Sequence, residues 1–303
     1  PLIFLVNVPA GIVGMVLGWF LIPRSRHLAE RTPFDWVGLA IFVPPVTALL
    51  LAISYGNRLG WSSPLIIGLF GVVVVMGAAF LRWERRAAAP MLDLSLFRRV
   101  PFSAGIASGL LSYLVLFGVL FVVPYLLENA LHVSVGLAGL ELMVMPVGLG
   151  LAAPVAGRLA DRVGARPLTV GGMVLTAAML VVLVVSHGNE AAFLVELGLL
   201  GVGLGAFTPP NNAAIMGAAP RWQSGVASGV LNMTRSMGTS LGLALTGLVF
   251  ELFAGLHPTQ AGPVSMGFNA AALFLAAVSV LAAALAALRG STGLAEDPTL
   301  TAE

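Results

Sequence analysis

The chain has 303 residues, of which 58% are hydrophobic and only 9% are charged, with a formal net charge of +2. Soluble domains carry about 25% charged residues, so this composition excludes a soluble protein and indicates an integral membrane protein. The absence of cysteine excludes disulfides and thiolate metal sites, and the four scattered histidines predict no metal site. The small net charge also argues against a nucleic-acid partner.

Apolar segments of membrane-spanning length follow one another along the chain, joined by short polar loops. A spanning helix needs about 20 apolar residues, and no segment shows the alternating pattern that is typical of a barrel strand. The sequence therefore predicts an all-α integral membrane protein with nine transmembrane helices. In chain order, the predicted spans are 2–22, 35–55, 62–82, 101–126, 135–156, 167–186, 191–216, 224–250 and 264–288.

The placement of arginine orients these predicted spans. One set of alternate loops holds thirteen of the fifteen arginines, whereas the opposite loops hold Arg58 and the eighth span contains Arg235. Because arginine-rich loops stay in the cytoplasm, we expect an external first residue, a cytoplasmic C-terminus and a place in the inner or plasma membrane. The thirteen arginines are Arg24, Arg26, Arg31, Arg82, Arg85, Arg86, Arg98, Arg99, Arg158, Arg162, Arg166, Arg221 and Arg289.

The loop between the fifth and sixth predicted spans reads GRLADRVGAR and begins at Gly157. Gly157 is expected to let two helices approach closely, and Gly164 is expected to permit a tight turn. Asp161 can pair with Arg162 or Arg166. Near the N-terminus of the sixth span, the negative charge of Asp161 would also be favoured by ~0.3–1 kcal/mol.

The pattern G-x-x-x-D-R-x-G-x-R in this loop resembles the signature loop of the major facilitator superfamily. The resemblance implies a conformational-switch loop at Gly157, Asp161, Arg162, Gly164 and Arg166. Further stretches resemble segments of the fourteen-span drug/proton antiporter branch of that superfamily, and they occur in the expected order. These stretches are FLVNVPAG (4–11), FDWVGLA (34–40), PMLDLSLFRR (90–99) and GVASGVLNMTRSMGTSLG (225–242).

The resemblance implies a domain organisation. Residues 1–22 match the last span of an N-terminal bundle, 23–90 match two inserted spans, 91–290 match a complete C-terminal six-helix bundle, and 291–303 form a polar cytoplasmic tail. Because the chain starts at Pro1 inside an apolar run, we interpret its start as a truncation that removes five helices. Half of a site between two bundles would then lie outside this sequence.

The resemblance also implies a function, which is proton-coupled export of small hydrophobic or cationic compounds by a secondary active transporter with alternating access. The expected partners are the lipid bilayer, a small-molecule substrate, protons and the missing N-terminal bundle, with no cofactor. Two alternatives stay open: an exporter of one metabolite, and a non-transporting half that needs an N-terminal partner. An enzyme is not expected, because GTSLG (238–242) and GVGLGAF (201–207) lack the strand–helix context that such motifs need.

Ionisable residues inside predicted spans are candidates for function, because inserting them costs about 2.5–3.5 kcal/mol. Arg235 lies ~17 Å into the eighth span, either as a counter-charge for a carboxylate or substrate anion, or as a structural hub bonded to Asn232 or to carbonyl groups of a neighbouring helix. Glu141 lies ~10 Å into the fifth span, where it would exchange protons or face an outer vestibule. Glu196 is a third candidate, with a place at the membrane interface as its alternative. A Glu141–Arg235 pair is a further hypothesis.

A multidrug site is expected to be wide and rich in aromatic residues and methionine, which adapt to varied shapes. The same side chains would also suit contact with lipid or a neighbouring helix. A helix break at Pro209 and Pro210 would free carbonyl groups, which predicts a hinge there. The substrate-lining candidates are Tyr113, Phe117, Phe121, Met143, Met145, Asn211 and Asn232.

Pairs of glycines at four-residue spacing recur within the predicted spans. Such pairs let helices approach closely in a membrane, so we predict helix packing at each of them. The pairs are Gly14/Gly18, Gly105/Gly109, Gly201/Gly205, Gly225/Gly229 and Gly238/Gly242.

Overall fold

Helices make up the regular secondary structure in the described part of the chain, and no strand occurs there. The computed structural model describes residues 7–21, 35–87, 92, 94–186, 190–220, 223–255 and 261–289. Predictions that fall on residues 1–6 or 22–34, on Arg221 or on the tail 291–303 lie outside these residues. A 3-10 helix spans Leu94–Arg98, and the α-helices are α1 (Asn7–Leu21), α2 (Trp36–Leu59), α3 (Pro64–Glu84), α4 (Val100–Asn129), α5 (Val135–Leu142), α6 (Val144–Val163), α7 (Ala165–Ser186), α8 (Glu190–Ala218), α9 (Ser224–Ala254) and α10 (Ala261–Ala287).

Eight helical segments among the described residues are long and apolar enough to cross a membrane. They confirm the predicted all-α membrane architecture, and α5 and α6 together form one of them, Val135–Val163. Within the described residues, the first predicted span is the 15-residue helix α1. At about 1.5 Å per residue this helix is shorter than the ~30 Å hydrocarbon core, and the rest of that predicted span lies outside the described residues.

The chain divides into two compact units, Pro1–Phe34 and Asp35–Glu303. The first unit contains α1, on which Trp19 and Phe20 are largely exposed. The second unit contains the hairpin of α2 and α3 together with the helices from α4 to α10. The predicted boundaries after residues 22 and 90 stay predictions.

The centre of the second unit lies where α4, α8 and α10 meet. In the apolar stretch of each of these helices half of the residues are buried, compared with 11% in α3. Helix α4 packs against α9 and α10, α8 packs against α6 and α7, and α10 packs against α7 as well. Val115, Leu200 and Leu275 are fully enclosed at this centre. The outer hairpin contacts the bundle through α2, which packs on α9.

Glycines without side chains bring the bundle helices into backbone contact. A Cβ atom at Gly205 of α8 would lie 2.5 Å from the carbonyl oxygen of Leu149 in α6. Cβ atoms at Gly238 and Gly242 of α9 would lie 2.6 and 2.5 Å from carbonyl oxygens of α4. These approaches are too close for any other residue, which confirms the packing predicted for these glycines.

The prediction of close packing is wrong at three other places among the described residues. Cβ atoms built at Gly225 and Gly229 of α9 would meet no described atom within 4 Å, and the same is true of Gly157 in α6 and of Gly14 in α1. These glycines lie on helix faces that no other described element covers. Glycine spacing alone does not reveal which face of a helix meets a neighbour.

Proline does not interrupt α8. This helix continues from Glu190 to Ala218 through Pro209 and Pro210, so the predicted break is absent. The two prolines remove two amide donors, and Thr208 Oγ1 donates to the carbonyl oxygen of Leu204 at 2.9 Å beside them. A functional hinge at these prolines stays a prediction.

Candidate functional site

An aromatic stripe runs along one face of α4. Tyr113, Phe117 and Phe121 follow one another at four-residue spacing, which places them on the same side of a helix. Phe121 is exposed and the other two are half-buried. Helix α9 packs beside this stripe, because Gly238 of α9 lies directly against the backbone of α4.

Arg235 of α9 projects onto this aromatic stripe. Its Cζ atom lies 5.9 Å from the centroid of the Tyr113 ring, which is the geometry of a cation–π contact. The predicted bond to Asn232 does not occur among the described residues, where Asn232 Nδ2 donates to the carbonyl oxygen of Ser228 at 3.2 Å. Arg235 and Asn232 are both exposed on α9. A charge at this depth is costly against lipid, so this face suits contact with water or with other protein.

Glu141 lies in the interior of the bundle, in the last turn of α5. Its side chain is only 5% exposed, so it does not face an outer vestibule. Neither carboxylate oxygen has a hydrogen-bond partner among the described residues. The hypothesis of a Glu141–Arg235 pair is therefore wrong for this structure. Arg235 instead contacts the Tyr113 ring, whereas Glu141 is buried.

Glu196 ties α8 to the end of α7. The side chain is buried, at 7% exposure, and Ser186 Oγ donates to its Oε2 at 2.5 Å. This contact explains how a carboxyl group is accommodated between α7 and α8, and a place near the membrane interface stays an alternative. Glu196 thus has a neutral polar partner, in contrast to Glu141.

The predicted substrate-lining residues do not form one surface. Tyr113, Phe117, Phe121 and Asn232 belong to the α4–α9 face, and Met143 is exposed between α5 and α6. Met145, two residues further along, points into the hydrophobic core and is fully buried. Its placement follows from helix geometry, because residues two apart lie on nearly opposite sides of a helix.

Asn211, the last of these candidates, belongs instead to a buried polar cluster with Arg289. Arg289 Nη2 donates to Ser108 Oγ at 3.0 Å and also to Asn211 Oδ1. Asn211 Nδ2 in turn donates to the carbonyl oxygen of Gly105 at 3.3 Å. Arg289 is 4% exposed, and its Nε and Nη1 atoms have no hydrogen-bond partner among the described residues. The cluster joins α4, α8 and the end of α10.

Sequence reasoning treated Arg289 only as a topological marker. Burial lowers the pKa of Arg289 to about 10, so the side chain stays protonated at neutral pH. The sequence feature that could have indicated this cluster is the pair of polar residues, Ser108 and Asn211, inside two apolar spans. No sequence rule indicated that both would meet one arginine beyond the end of α10.

Comparison with known proteins identifies the family. The sequence profile described as Major Facilitator Superfamily matches residues 105–300, a range that includes most of α4 and the helices from α5 to α10. The chain belongs to the major facilitator superfamily. Together with its helices of membrane-spanning length, the match identifies a multi-pass membrane protein of a transporter family, in agreement with the expectation that it is not an enzyme.

Several curated members of the superfamily are similar to this chain. The multidrug resistance protein Stp of Mycobacterium tuberculosis is 31% identical over 84% of this chain and 48% of its own length. The multidrug efflux pump LfrA of Mycolicibacterium smegmatis is 31% identical over 89% of this chain and 55% of its own. The riboflavin transporter RibZ of Clostridioides difficile is 31% identical over 80% of this chain and 53% of its own length. The chain thus spans about half the length of these relatives.

The superfamily signature loop has a different local structure from the one predicted. Helix α6 continues to Val163, so Asp161 and Arg162 lie in its last turn, and Arg166 lies in the first turn of α7. Gly164, with φ of 85°, makes the turn between the two helices, as predicted. Asp161 forms no ion pair with either arginine among the described residues, and all three side chains are exposed. A switch role for this loop stays a prediction.

Proposed function

We propose that the protein is a secondary active transporter that exports small hydrophobic or cationic compounds in exchange for protons, by alternating access. The observation that carries this proposal is the α4–α9 face, where an exposed arginine and an aromatic stripe lie side by side in membrane-spanning helices. The names of the relatives Stp and LfrA, a multidrug resistance protein and a multidrug efflux pump, support the same substrate class.

In this proposal the α4–α9 face is one wall of the substrate pathway. Arg235 is exposed within a spanning helix, and a wet or protein-covered face avoids the cost of placing it against lipid. Because Arg235 already occupies the Tyr113 ring, it would repel a cation there. We therefore place a cationic substrate along Phe117 and Phe121, ~6 and ~12 Å further along α4, where aromatic rings are the available partners.

Glu141 is the proposed proton-binding group. It is buried, and both of its oxygens lack a hydrogen-bond partner among the described residues. A carboxylate in such a place gains little from its surroundings when charged, so proton uptake and release there are linked to any motion that changes its access to water. Exposed Glu128, at the end of α4, lacks this property.

Alternating access requires a second bundle opposite the α4–α9 face. The chain spans about half the length of its relatives, which supports the proposal that an N-terminal bundle completes the pathway. We propose that this bundle covers Arg235 and the aromatic stripe in one of the two access states, with the C-terminus on the cytoplasmic side.

Export of a single compound is the second candidate function. RibZ, a relative as similar as the multidrug pumps, is named for one compound, riboflavin. A single-compound exporter would transport one member of a panel of dyes, flavins and aromatic antibiotics much faster than the others. A multidrug exporter would transport several members at comparable rates.

The test uses the full-length protein in proteoliposomes, loaded with ethidium and studied with and without a pH gradient. We expect the gradient to accelerate dye transport, and Glu141→Gln to reduce that acceleration at least about tenfold. Dye exchange without a gradient should continue in Glu141→Gln, which shows that the variant is folded. Glu128→Gln is the matched control, with the same chemical change at an exposed carboxyl. Unchanged gradient-driven transport in Glu141→Gln would exclude Glu141 as the coupling group.

A further inference from the structure

A shallow cavity of about 450 Å³ lies at the C-terminal end of α3, in the outer hairpin. Its lining consists of Ala78, Leu81, Arg82, Arg85 and Arg86. Ala78, Leu81 and Arg82 lie on one face of α3, and Arg85 and Arg86 follow its last residue in the turn that ends the helix. The face is apolar at one end and carries three positive charges at the other.

The three arginines have no partner of opposite charge in the described part of the chain. Their side chains are exposed, and the nearby acidic side chains hold other donors. Asp35 accepts hydrogen bonds from the indole of Trp83, at 2.9 Å, and from the amide of Gly38. Glu84 is buried and accepts a hydrogen bond from the amide of Leu92, at 3.2 Å. The positive charge of the cavity is therefore available to a ligand.

The apolar end of the cavity continues along α3 into the membrane. Val74 and Val75, one turn before Ala78, are 69% and 66% exposed. Helix α3 packs chiefly against α2, so this face has no protein neighbour among the described residues. From Val74 to Arg86 the face is ~18 Å long, which is enough to cross the headgroup region and enter the hydrocarbon core.

We propose that this cavity is a binding site for an anionic phospholipid. The phosphate group lies between Arg82, Arg85 and Arg86, and an acyl chain lies along Ala78 and the valines that precede it. Basic residues at the end of a spanning helix attract anionic headgroups, and guanidinium groups match phosphate oxygens in geometry. The apolar continuation favours a lipid over free phosphate, which would leave the Ala78 end of the face uncovered.

The test is native mass spectrometry of the full-length protein in detergent, titrated with phosphatidylglycerol, phosphatidylcholine or inorganic phosphate. We expect phosphatidylglycerol to bind at least about tenfold more tightly than phosphatidylcholine. Replacing the three arginines of the cavity with glutamine should weaken phosphatidylglycerol binding about a hundredfold, since each basic residue contributes about a fivefold factor.

Two further variants separate this site from general charge and from free phosphate. The control variant Arg158→Gln/Arg162→Gln/Arg166→Gln removes the same charge from the exposed end of α6 and start of α7, and it should change affinity less than about threefold. Ala78→Phe fills the apolar end and keeps the arginines, so it should weaken lipid binding and leave phosphate binding unchanged. Equal losses in the two triple variants, or full displacement of lipid by equimolar phosphate, would overturn the proposal. Circular dichroism checks that each variant is folded.

Discussion

Arg289 keeps a positive charge in the interior of a membrane bundle. Burial lowers its pKa to about 10, and the charged side chain is held by two neutral acceptors, Ser108 and Asn211. Its position just after α10 adds a favourable interaction with the negative end of that helix. A buried charge with few partners depends strongly on each of them, so the cluster should be sensitive to the loss of one acceptor.

Asn211→Leu tests this dependence. The substitution removes one acceptor and leaves the guanidinium group with Ser108 alone, so we expect the free energy of unfolding to fall by about 2–4 kcal/mol. Adding Arg289→Met removes the charge as well, and the double variant should recover more than half of that loss. Thermal unfolding of the four proteins in detergent completes a double-mutant cycle. Additive losses in the cycle would show that the arginine charge is not what Asn211 stabilises.

The individual charges were only partly predictable from the sequence. Arg235 and Glu141 were found because each interrupts an apolar span, and depth alone makes such residues unusual. The partner of Arg235 was not found, because Tyr113 is on another helix and no pattern within α9 points to it. Arg289 was missed for the opposite reason: it lies beyond the end of α10 in the sequence, but its long side chain reaches back into the bundle.

At the scale of single helices, α7 offers two adjacent glycines in opposite surroundings. A Cβ atom at Gly172 would lie 2.5 Å from the carbonyl oxygen of Gly203 and 3.0 Å from the amide of Phe207, both in α8. A Cβ atom at Gly171 would meet no described atom within 4 Å. The close approach of α8 to α7 therefore depends on Gly172, whereas Gly171 faces away from the described residues.

Alanine at these two positions should have opposite effects. Gly172→Ala forces α7 away from α8, and we expect it to reduce the free energy of unfolding by about 1–3 kcal/mol. Gly171→Ala removes only backbone freedom, so it should be neutral or stabilising by up to about 1 kcal/mol. The measurement is thermal unfolding of both variants in detergent under the same conditions. A similar destabilisation by both would mean that the α7–α8 contact is not as close as the structure has it.

Helix existence was predictable and helix ends were less so. The predicted spans lie within a few residues of α2 to α10 because hydropathy detects the hydrocarbon core directly. A helix ends later than predicted where polar residues continue its backbone hydrogen bonds. Helix α6, for example, extends to Val163 and ends at Gly164. The effect of proline was misjudged in α8, because packing on α6 and α7 maintains the helix through Pro209 and Pro210.

At the scale of the whole molecule, the polar face of α9 and the aromatic stripe of α4 define a surface that is suited to contact with water or protein rather than with lipid. Family membership was predictable from the order of short motifs along the chain, and the profile match confirms it. The assembly of that surface was not predictable, since it depends on which faces of α4 and α9 turn outward. The orientation of the chain across the membrane rests on arginine placement alone and stays a prediction.

Cysteine labelling tests this orientation, because the sequence contains no cysteine and therefore gives no background. Leu59 and Leu131 are exposed at helix ends predicted to be external, and Val163 and Leu288 are exposed at ends predicted to be cytoplasmic. Each is replaced by cysteine and treated in intact cells with a membrane-impermeant maleimide. We expect labelling of the first pair in intact cells and of the second pair only after permeabilisation. The reverse pattern would invert the arginine-based topology, and with it the direction in which Glu141 exchanges protons. Labelling of both pairs from one side would mean that the odd number of spans between them is miscounted.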